Sequence, residues 1–350
     1  MSTKILIVDD SAYTRQVMRK IIEQDPNLEV VEIASDGIDA MAKTLRLKPD
    51  IITLDFEMPK MDGFSFLRWL MREWPTPVIM VSSHNDSKTV FKALELGAVD
   101  FISKPTKRVS EELRTIEKDL LLKLAGIKNI RLDKLSKNLE LLEPGDSPVQ
   151  QPSPVKSRRV EIVAVGSSTG GPAALQIILT RLPADFQAAV VISQHMPKGF
   201  TGPLAERLNR LSPLNIREAG DQDTVEPGSV FICPGGFHMG LKKRGSRVVT
   251  FLKEGRFEDK YTPSVDFMMQ HAAEVYGSHS MGVILTGMGN DGKSGMVEIK
   301  NKGGYTIAES EETAVVFGMP GEAIKAGAVE SVLPISEVPA AMTRVVNNRE

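Results

Sequence analysis

Cysteine is almost missing from this chain: 350 residues hold one, Cys233, so no intrachain disulfide can form and a reducing cytoplasm is the expected setting. Net charge is almost missing too, at −2. That removes the electrostatic case for a nucleic acid or an anionic membrane as partner, since each rewards a basic face. No apolar run reaches the roughly 18 residues of a spanning helix. The stretch MSTKILIVDDS has neither the basic start nor the long apolar middle of a secretory signal, so neither membrane insertion nor export is expected. Histidine is scarce, five in all, which makes the candidates for a general base countable. What is plentiful is ordinary. An apolar share of 41% and a charged share of 25% give a soluble globular chain ample material for cores, and the length predicts about two domains.

From residue 4 to about 108, the runs KILIVD, EVVEIA, DIITLD, PVIMVS and VDFISK predict strands. They are apolar almost throughout, as both-face burial requires. Between them apolar residues recur at helical spacing, as in Val17 with Ile21 and Met18 with Ile22. Five β-α units in series predict a doubly wound parallel sheet. Residues 109–143 read as the fifth helix with an extension. EPGDSPVQQPSPVKSRR then brings prolines at 144, 148, 152 and 154 and few large apolar side chains, so it reads as a semi-extended linker. A second α/β series opens at Val160 with VEIVAV, AAVVIS, SVFIC, MGVILT and GYTIAE, and residues 237–253 read as a β-hairpin appended to that sheet. The expected domains are residues 1–125 and 159–350, with 126–158 as linker.

Ligands of an open parallel sheet collect at the carboxyl ends of its strands. In the first domain those ends carry Asp9 and Asp10, then Asp55, then Ser82 and Ser83, then Lys104 with Pro105. Three carboxylates that close stay ionised at low cost only around a cation, and hard oxygen ligands suit Mg²⁺. A lysine opposite can hold an incoming phosphoryl group. The motifs ILIVDDS, DFEMPKMDG, VIMVSS and FISKP resemble a two-component receiver domain, which has a flavodoxin-like fold. The resemblance implies Asp55 as phosphoacceptor, Asp9, Asp10 and Asp55 as Mg²⁺ ligands, Ser82 and Lys104 as phosphoryl contacts, and Phe101 as the switching aromatic.

The second domain opens on VAVGSSTGGP, residues 163–172, a loop that either cradles a phosphate or presents a nucleophile. A Walker loop needs a lysine after its glycines, and none follows. A dinucleotide fingerprint wants glycine where Ser168 stands and an acid ending the next strand, which instead ends Ser193, Gln194, His195. Gly166-x-Ser168-x-Gly170 has the spacing of a strand-to-helix elbow, with the serine facing the positive end of a helix. A nucleophilic serine also needs a base and a group that orients the base. His84 belongs to the first domain, and His271 and His279 flank a helix end away from strand termini. His195 directly follows the second strand of the same sheet, while His238 is a second choice or a substrate-side residue. TGMGNDG places Asp291 at a further strand end, among glycines that let backbone N–H groups approach a carbonyl. Alone, Asn-Asp-Gly is also the signature of a turn with helix capping. Cys233 reads as a small buried side chain.

The order Ser, His, Asp departs from the α/β-hydrolase order Ser, Asp, His. The stretches GSSTGGP, QHMPKGFTGPLAERL, CPGGFHM, PSVDFMM, GVILTGMGNDGKSGM and TIAESEETAVVFGMP instead resemble the catalytic domain of the CheB protein-glutamate methylesterase family, a Rossmann-like domain. With the receiver and linker, the resemblance spans nearly the whole chain. It implies hydrolysis of glutamate γ-methyl esters on chemoreceptors and deamidation of receptor glutamines, for adaptation in bacterial chemotaxis. Ser168 would be the nucleophile, His195 the base and Asp291 its orienting acid, with the backbone N–H of Met288 and a donor near Thr169 as oxyanion hole. No cofactor is implied in this domain. A chemotaxis histidine kinase would be the phosphodonor, and the receiver would occlude the Ser168 rim until Asp55 is phosphorylated. A binding module without turnover would share this fold. A DNA-binding output is set aside, because the second domain offers no helix-turn-helix unit or basic face.

Overall fold

A computed structural model of the chain describes residues 2–82, 87–104, 111–126, 130–142 and 159–347. It divides into two compact units, Met1–Ser136 and Lys137–Glu350. Ser83, His84, Pro105 and the proline-rich stretch 143–158 lie outside the described residues.

The first unit alternates β1 (Thr3–Val8), α1 (Ala12–Ile22), β2 (Leu28–Ala34), α2 (Gly37–Leu47), β3 (Ile51–Leu54), α3 (Gly63–Glu73), β4 (Val78–Ser82), α4 (Ser87–Glu95), β5 (Asp100–Ser103) and α5 (Glu111–Ala125). Its parallel sheet has the order β2-β1-β3-β4-β5, the flavodoxin-like arrangement. Strands β3, β4 and β5 are buried at every position, which explains their nearly continuous apolar runs. Met18, Ile21 and Ile22 of α1 pack with Ile5, Ile7 and Leu120 in the core, each such burial contributing about 1.5–3 kcal/mol. The helix starts are written locally, since Ser11, Asp36 and Asp62 each accept a backbone N–H from the first turn. Within the segment expected as linker a further helix, α6 (Leu132–Glu140), is formed.

The second unit contains β6 (Ile162–Ser167), α7 (Gly171–Leu179), β7 (Ala189–Gln194), α8 (Thr201–Leu211), β8 (Asn215–Glu218), β9 (Ser229–Ile232), β10 (Phe237–Arg244) and β11 (Arg247–Glu254). There follow α9 (Val265–Tyr276), β12 (Ser280–Ile284), α10 (Lys293–Asn301), β13 (Tyr305–Glu309), α11 (Met319–Lys325), β14 (Ser331–Leu333) and α12 (Val338–Asn347). Among the described residues its main sheet is parallel throughout, in the order β14-β13-β12-β6-β7-β9-β8. The short edge strands β8 and β14 were not distinguished in the sequence. Three or four residues in partly exposed settings carry too little apolar pattern to announce a strand. The hairpin β10–β11 forms a two-stranded antiparallel sheet of its own. On the core side of the main sheet, Ile162, Ala164 and Val191 meet Val265, Met268, Met269 and Ala272 of α9. The chain runs outward from β6 through β7 to the edge strand β8, comes back to β9 between β7 and β8, and later crosses to β12 on the other side of β6. Such a reversal opens a crevice at the strands' carboxyl ends. No helix among the described residues is long and apolar enough to cross a membrane.

Candidate functional site

At the strand ends of the first unit, carboxylate oxygens of Asp9, Asp10 and Asp55 lie within 4.8 Å of one another. Lys104 Nζ donates to Asp55 Oδ2 and stands 3.5 Å from Asp9 Oδ2. Asp55 Oδ1 accepts the Phe56 N–H at 2.9 Å. Ser82 is buried, and its carbonyl accepts the Lys104 N–H at 2.7 Å. Phe101 is buried in β5, where Lys123 Nζ lies 5.4 Å from its ring centre and bonds its carbonyl. Burial, followed by the charge of Asp55, pushes the Asp9 carboxyl up to about 6. Burial raises Asp55 too, against the hydrogen bond from Lys104. Burial alone would lower Lys104, but the bond to Asp55 and the charges of Asp9 and Asp55 leave it raised.

A divalent cation fits this arrangement. Asp9 Oδ2 is buried with no hydrogen-bond partner, and three hard oxygen donors lie within 4.8 Å of one another, the donor chemistry Mg²⁺ takes. A ligand must be deprotonated to bind. Mg²⁺ affinity of the full chain is therefore expected to fall about tenfold between pH 7 and pH 5, measured by calorimetry, and Asp9→Asn reduces that slope. The metal-free fold obeys the opposite sign. A carboxyl whose folded pKa is raised binds a proton the unfolded chain releases, so stability declines as pH rises from about 4 to about 6. Metal-free Asp9→Asn should accordingly melt higher than wild type at pH 7.

In the second unit, β12, β6 and β7 end side by side, with Ile284 paired to Gly166 and Ser167 paired to Gln194. Ser168 and His195 are the next residues on two strands about 4.8 Å apart. The Ser168 N–H donates to Thr286 O and the His195 N–H to Ser167 O, each at 3.0 Å. The positive φ of the turn, 78°, falls on Gly170, the N-cap of α7, and Ser168 is not among the positive-φ residues. This differs from the strained serine of an α/β-hydrolase elbow. A Cβ on Gly287 would stand 2.8 Å from Ser168 Cβ, so only glycine lets the backbone leading to Met288 come this near Ser168. Thr169 is buried, and its carbonyl accepts from Thr286 Oγ1 at 2.9 Å.

His195 Nε2–H donates to Asp291 Oδ2 at 2.8 Å, which leaves Nδ1 as the nitrogen able to take a proton. Asp291 is buried and otherwise held by the start of α9. Val265 N–H reaches Oδ2 at 2.7 Å, while Asp266 N–H and Ser264 Oγ reach Oδ1 at 2.9 and 3.1 Å. Burial alone would raise its pKa, but the bond and charge of His195 and these backbone donors leave it lowered. A carboxylate at a helix N-terminus is favoured by the peptide dipoles as well. The ring of Tyr261 lies flat against His195, with centres 4.9 Å apart and planes 4° from parallel.

Gln194, Ser264, Tyr261 and Asp259 are the site residues that sequence reasoning missed. Gln194 is buried and joins both strand ends, because Nε2 donates to the carbonyls of Ser168 and His195 at 2.9 and 3.0 Å while Oε1 accepts from Ser167 Oγ at 2.6 Å. A Cβ on Gly171 would stand 2.0 Å from that Oε1, so the second glycine of the pair makes room for the amide. Gly171→Ala is expected to lower stability by about 1–3 kcal/mol through overpacking, read by thermal melting. Ser264 did carry a signal, a serine two residues before an acid at the head of an apolar helix. His238, weighed as a substrate-side residue, is buried and paired with Asp259 at 2.9 Å. Cys233 is buried, and burial pushes its thiol far up, so it stays protonated.

Comparison with known proteins adds to this geometry. Residues 163–342 match the family described as CheB methylesterase, and residues 5–115 match the response regulator receiver domain. The chain is 47% identical to a protein-glutamate methylesterase/protein-glutamine glutaminase of Geobacter sulfurreducens, over 96% of this chain and 95% of that one. It is 43% identical to a protein of the same description from Thermotoga maritima, over 98% of each. The crystal structure of the Thermotoga maritima CheB methylesterase catalytic domain aligns with a TM-score of 0.52 and 46% identity, covering 55% of this chain and 100% of that one.

Proposed function

The chain belongs to the CheB methylesterase family and carries a receiver domain ahead of the methylesterase domain, and from that premise we propose a phosphorylation-activated hydrolase of chemoreceptor side chains. Its substrates are glutamate γ-methyl esters and particular glutamines on the receptors, and its phosphodonor is a chemotaxis histidine kinase. The observation that supports this reading most is the His195–Asp291 pair seated on the start of α9, one strand over from Ser168.

Ser168 Oγ attacks the γ-carbonyl carbon while His195 Nδ1 takes the hydroxyl proton. Asp291 stays ionised, keeps the other ring nitrogen protonated and stabilises the imidazolium. The oxyanion that forms is met by the Met288 N–H and a donor near Thr169, in a setting where preorganised dipoles act at full strength. His195 returns the proton to the leaving group, so methanol departs from an ester or ammonia from an amide. Water, deprotonated by His195, then attacks the acyl-serine and leaves a carboxylate. In the receiver, Asp55 accepts the phosphoryl group, Ser82 and Lys104 contact it, and Phe101 carries the change of state. Asp9, Asp10 and Asp55 would hold Mg²⁺, which neutralises phosphoryl oxygens when bound. Activation requires that the phosphorylated and unphosphorylated receivers differ in how strongly they favour the active esterase.

The test is methanol release from methyl-labelled receptor membranes by the full chain, with and without a small-molecule phosphodonor. Wild type should release methanol, faster with the phosphodonor, and Asp55→Asn should show no phosphodonor effect. No release by wild type would end the substrate assignment, and an unchanged phosphodonor response in Asp55→Asn would end the regulatory one.

A further inference from the structure

His238 is the strand-end histidine that the mechanism leaves unused, yet both of its ring nitrogens are engaged. Its side chain is 6% exposed, and neither nitrogen is left over for a substrate. Nε2–H donates to Asp259 Oδ2 at 2.9 Å, and the same oxygen accepts the Arg256 N–H at 2.7 Å. With the proton committed to Nε2, Nδ1 is an acceptor, and it takes the Ser264 N–H at 3.1 Å. Phe267 packs against the ring, with centres 5.4 Å apart.

Ser264 is the N-cap of α9, its Oγ accepting the Phe267 N–H at 3.2 Å and donating to Asp291 Oδ1 at 3.1 Å. The next two N–H groups, of Val265 and Asp266, hold the same carboxylate. In a capping box the N-cap N–H is taken by a Glu or Gln at the third helical position. Phe267 occupies that position and has no acceptor to offer. The ring of His238, from β10, supplies it, and Asp259 selects the tautomer that can do so.

We propose that His238 is a positioning residue for hydrolysis: it fixes Ser264, and through Ser264 the cradle that holds Asp291 and thereby the ring of His195. This rests on Ser168, His195 and Asp291 being the hydrolytic residues. A carboxylate held by the first turn of a helix moves when the cap moves, and small misplacements of a base lower the rate out of proportion to their size.

Two substitutions in the full chain separate the ring's two nitrogens. His238→Gln carries an amide out to the Nε2 position and leaves the Ser264 N–H without its acceptor. His238→Asn puts a carbonyl where Nδ1 stands. His238→Gln is expected to lower kcat for methanol release about 10- to 100-fold with KM within about twofold, and His238→Asn to recover most of that loss. In proton NMR, the downfield resonance of the His195 Nε2–H on Asp291 should move or vanish in His238→Gln and return in His238→Asn. Asp259→Ala, at a partly exposed position that bears less on folding, should show the same signature at smaller amplitude. Equal kcat losses in the Gln and Asn variants, a change in KM in place of kcat, or an unmoved resonance in both His238→Gln and Asp259→Ala would overturn the proposal. The resonance depends on Asp291 and not on Ser168. If Ser168→Ala kept its activity, the hydrolytic reading would fall while the response of that proton still decided the role of His238.

Discussion

Ser168→Ala is expected to reduce methanol release from labelled receptors by at least about 10⁴-fold, with KM little changed and the melting temperature within a few degrees of wild type. The magnitude follows from losing the only group that bonds covalently to the acyl carbon; removal of a triad nucleophile leaves whatever the oxyanion donors and binding supply. Folding is spared because the elbow does not depend on the hydroxyl. It is held by the Ser168 N–H on Thr286 O and by Gln194 on the Ser168 carbonyl, and alanine keeps both. Turnover within tenfold of wild type in a well-folded Ser168→Ala chain would show that the acyl-serine route is not used.

Asp291→Asn is expected to cost about 10⁴-fold in kcat, and unlike the serine change it should also lower stability. Asp291 accepts from His195 Nε2–H, Ser264 Oγ and the N–H groups of Val265 and Asp266, besides Gly292 at 3.1 Å. An amide offers one oxygen to these donors and turns its own N–H₂ toward the rest. Either His195 loses its acceptor and takes the wrong tautomer, or the start of α9 is left with unpaired buried donors, a loss of about 1–3 kcal/mol. The measurement is kcat together with denaturant unfolding, and wild-type kcat in a folded Asp291→Asn chain would end the assignment. The pH dependence has a definite sign. The folded pKa of Asp291 lies below its ordinary value, so its contribution to stability is complete above about pH 4 and is lost only as pH falls through the lowered value. Any acid limb of the rate profile between pH 5 and pH 8 therefore does not come from Asp291. In Asp291→Asn the acid-induced loss of stability below pH 4 should be smaller than in wild type.

Much of this was legible in the residues. The alternation of apolar runs with helical spacing specified two parallel α/β sheets, because burial on both faces leaves strands little room for polar positions. The ends of those runs then brought Asp9, Asp10, Asp55 and Lys104 to one rim, and Ser168 and His195 to another. A parallel sheet puts all its strand ends on one side, so that convergence follows from topology alone. Gln194 and the His238–Asp259 pair were not legible. Their roles rest on hydrogen bonds between residues 21 to 26 positions apart, and a single chain carries no local pattern for those.

By itself, then, the sequence determined which residues could reach the edges of the sheets, since strand periodicity and the order of the elements are local properties. Tertiary structure alone decided which of them are held rigidly: the turn at Asp291 became a buried carboxylate because α9 begins its first turn on it, and His238 became an acceptor at Nδ1 because Asp259 holds the proton on Nε2. The physical reason is that apolar patterning needs only neighbours along the chain, whereas the charge state and tautomer of a buried polar group are set by the donors and acceptors that folding brings around it.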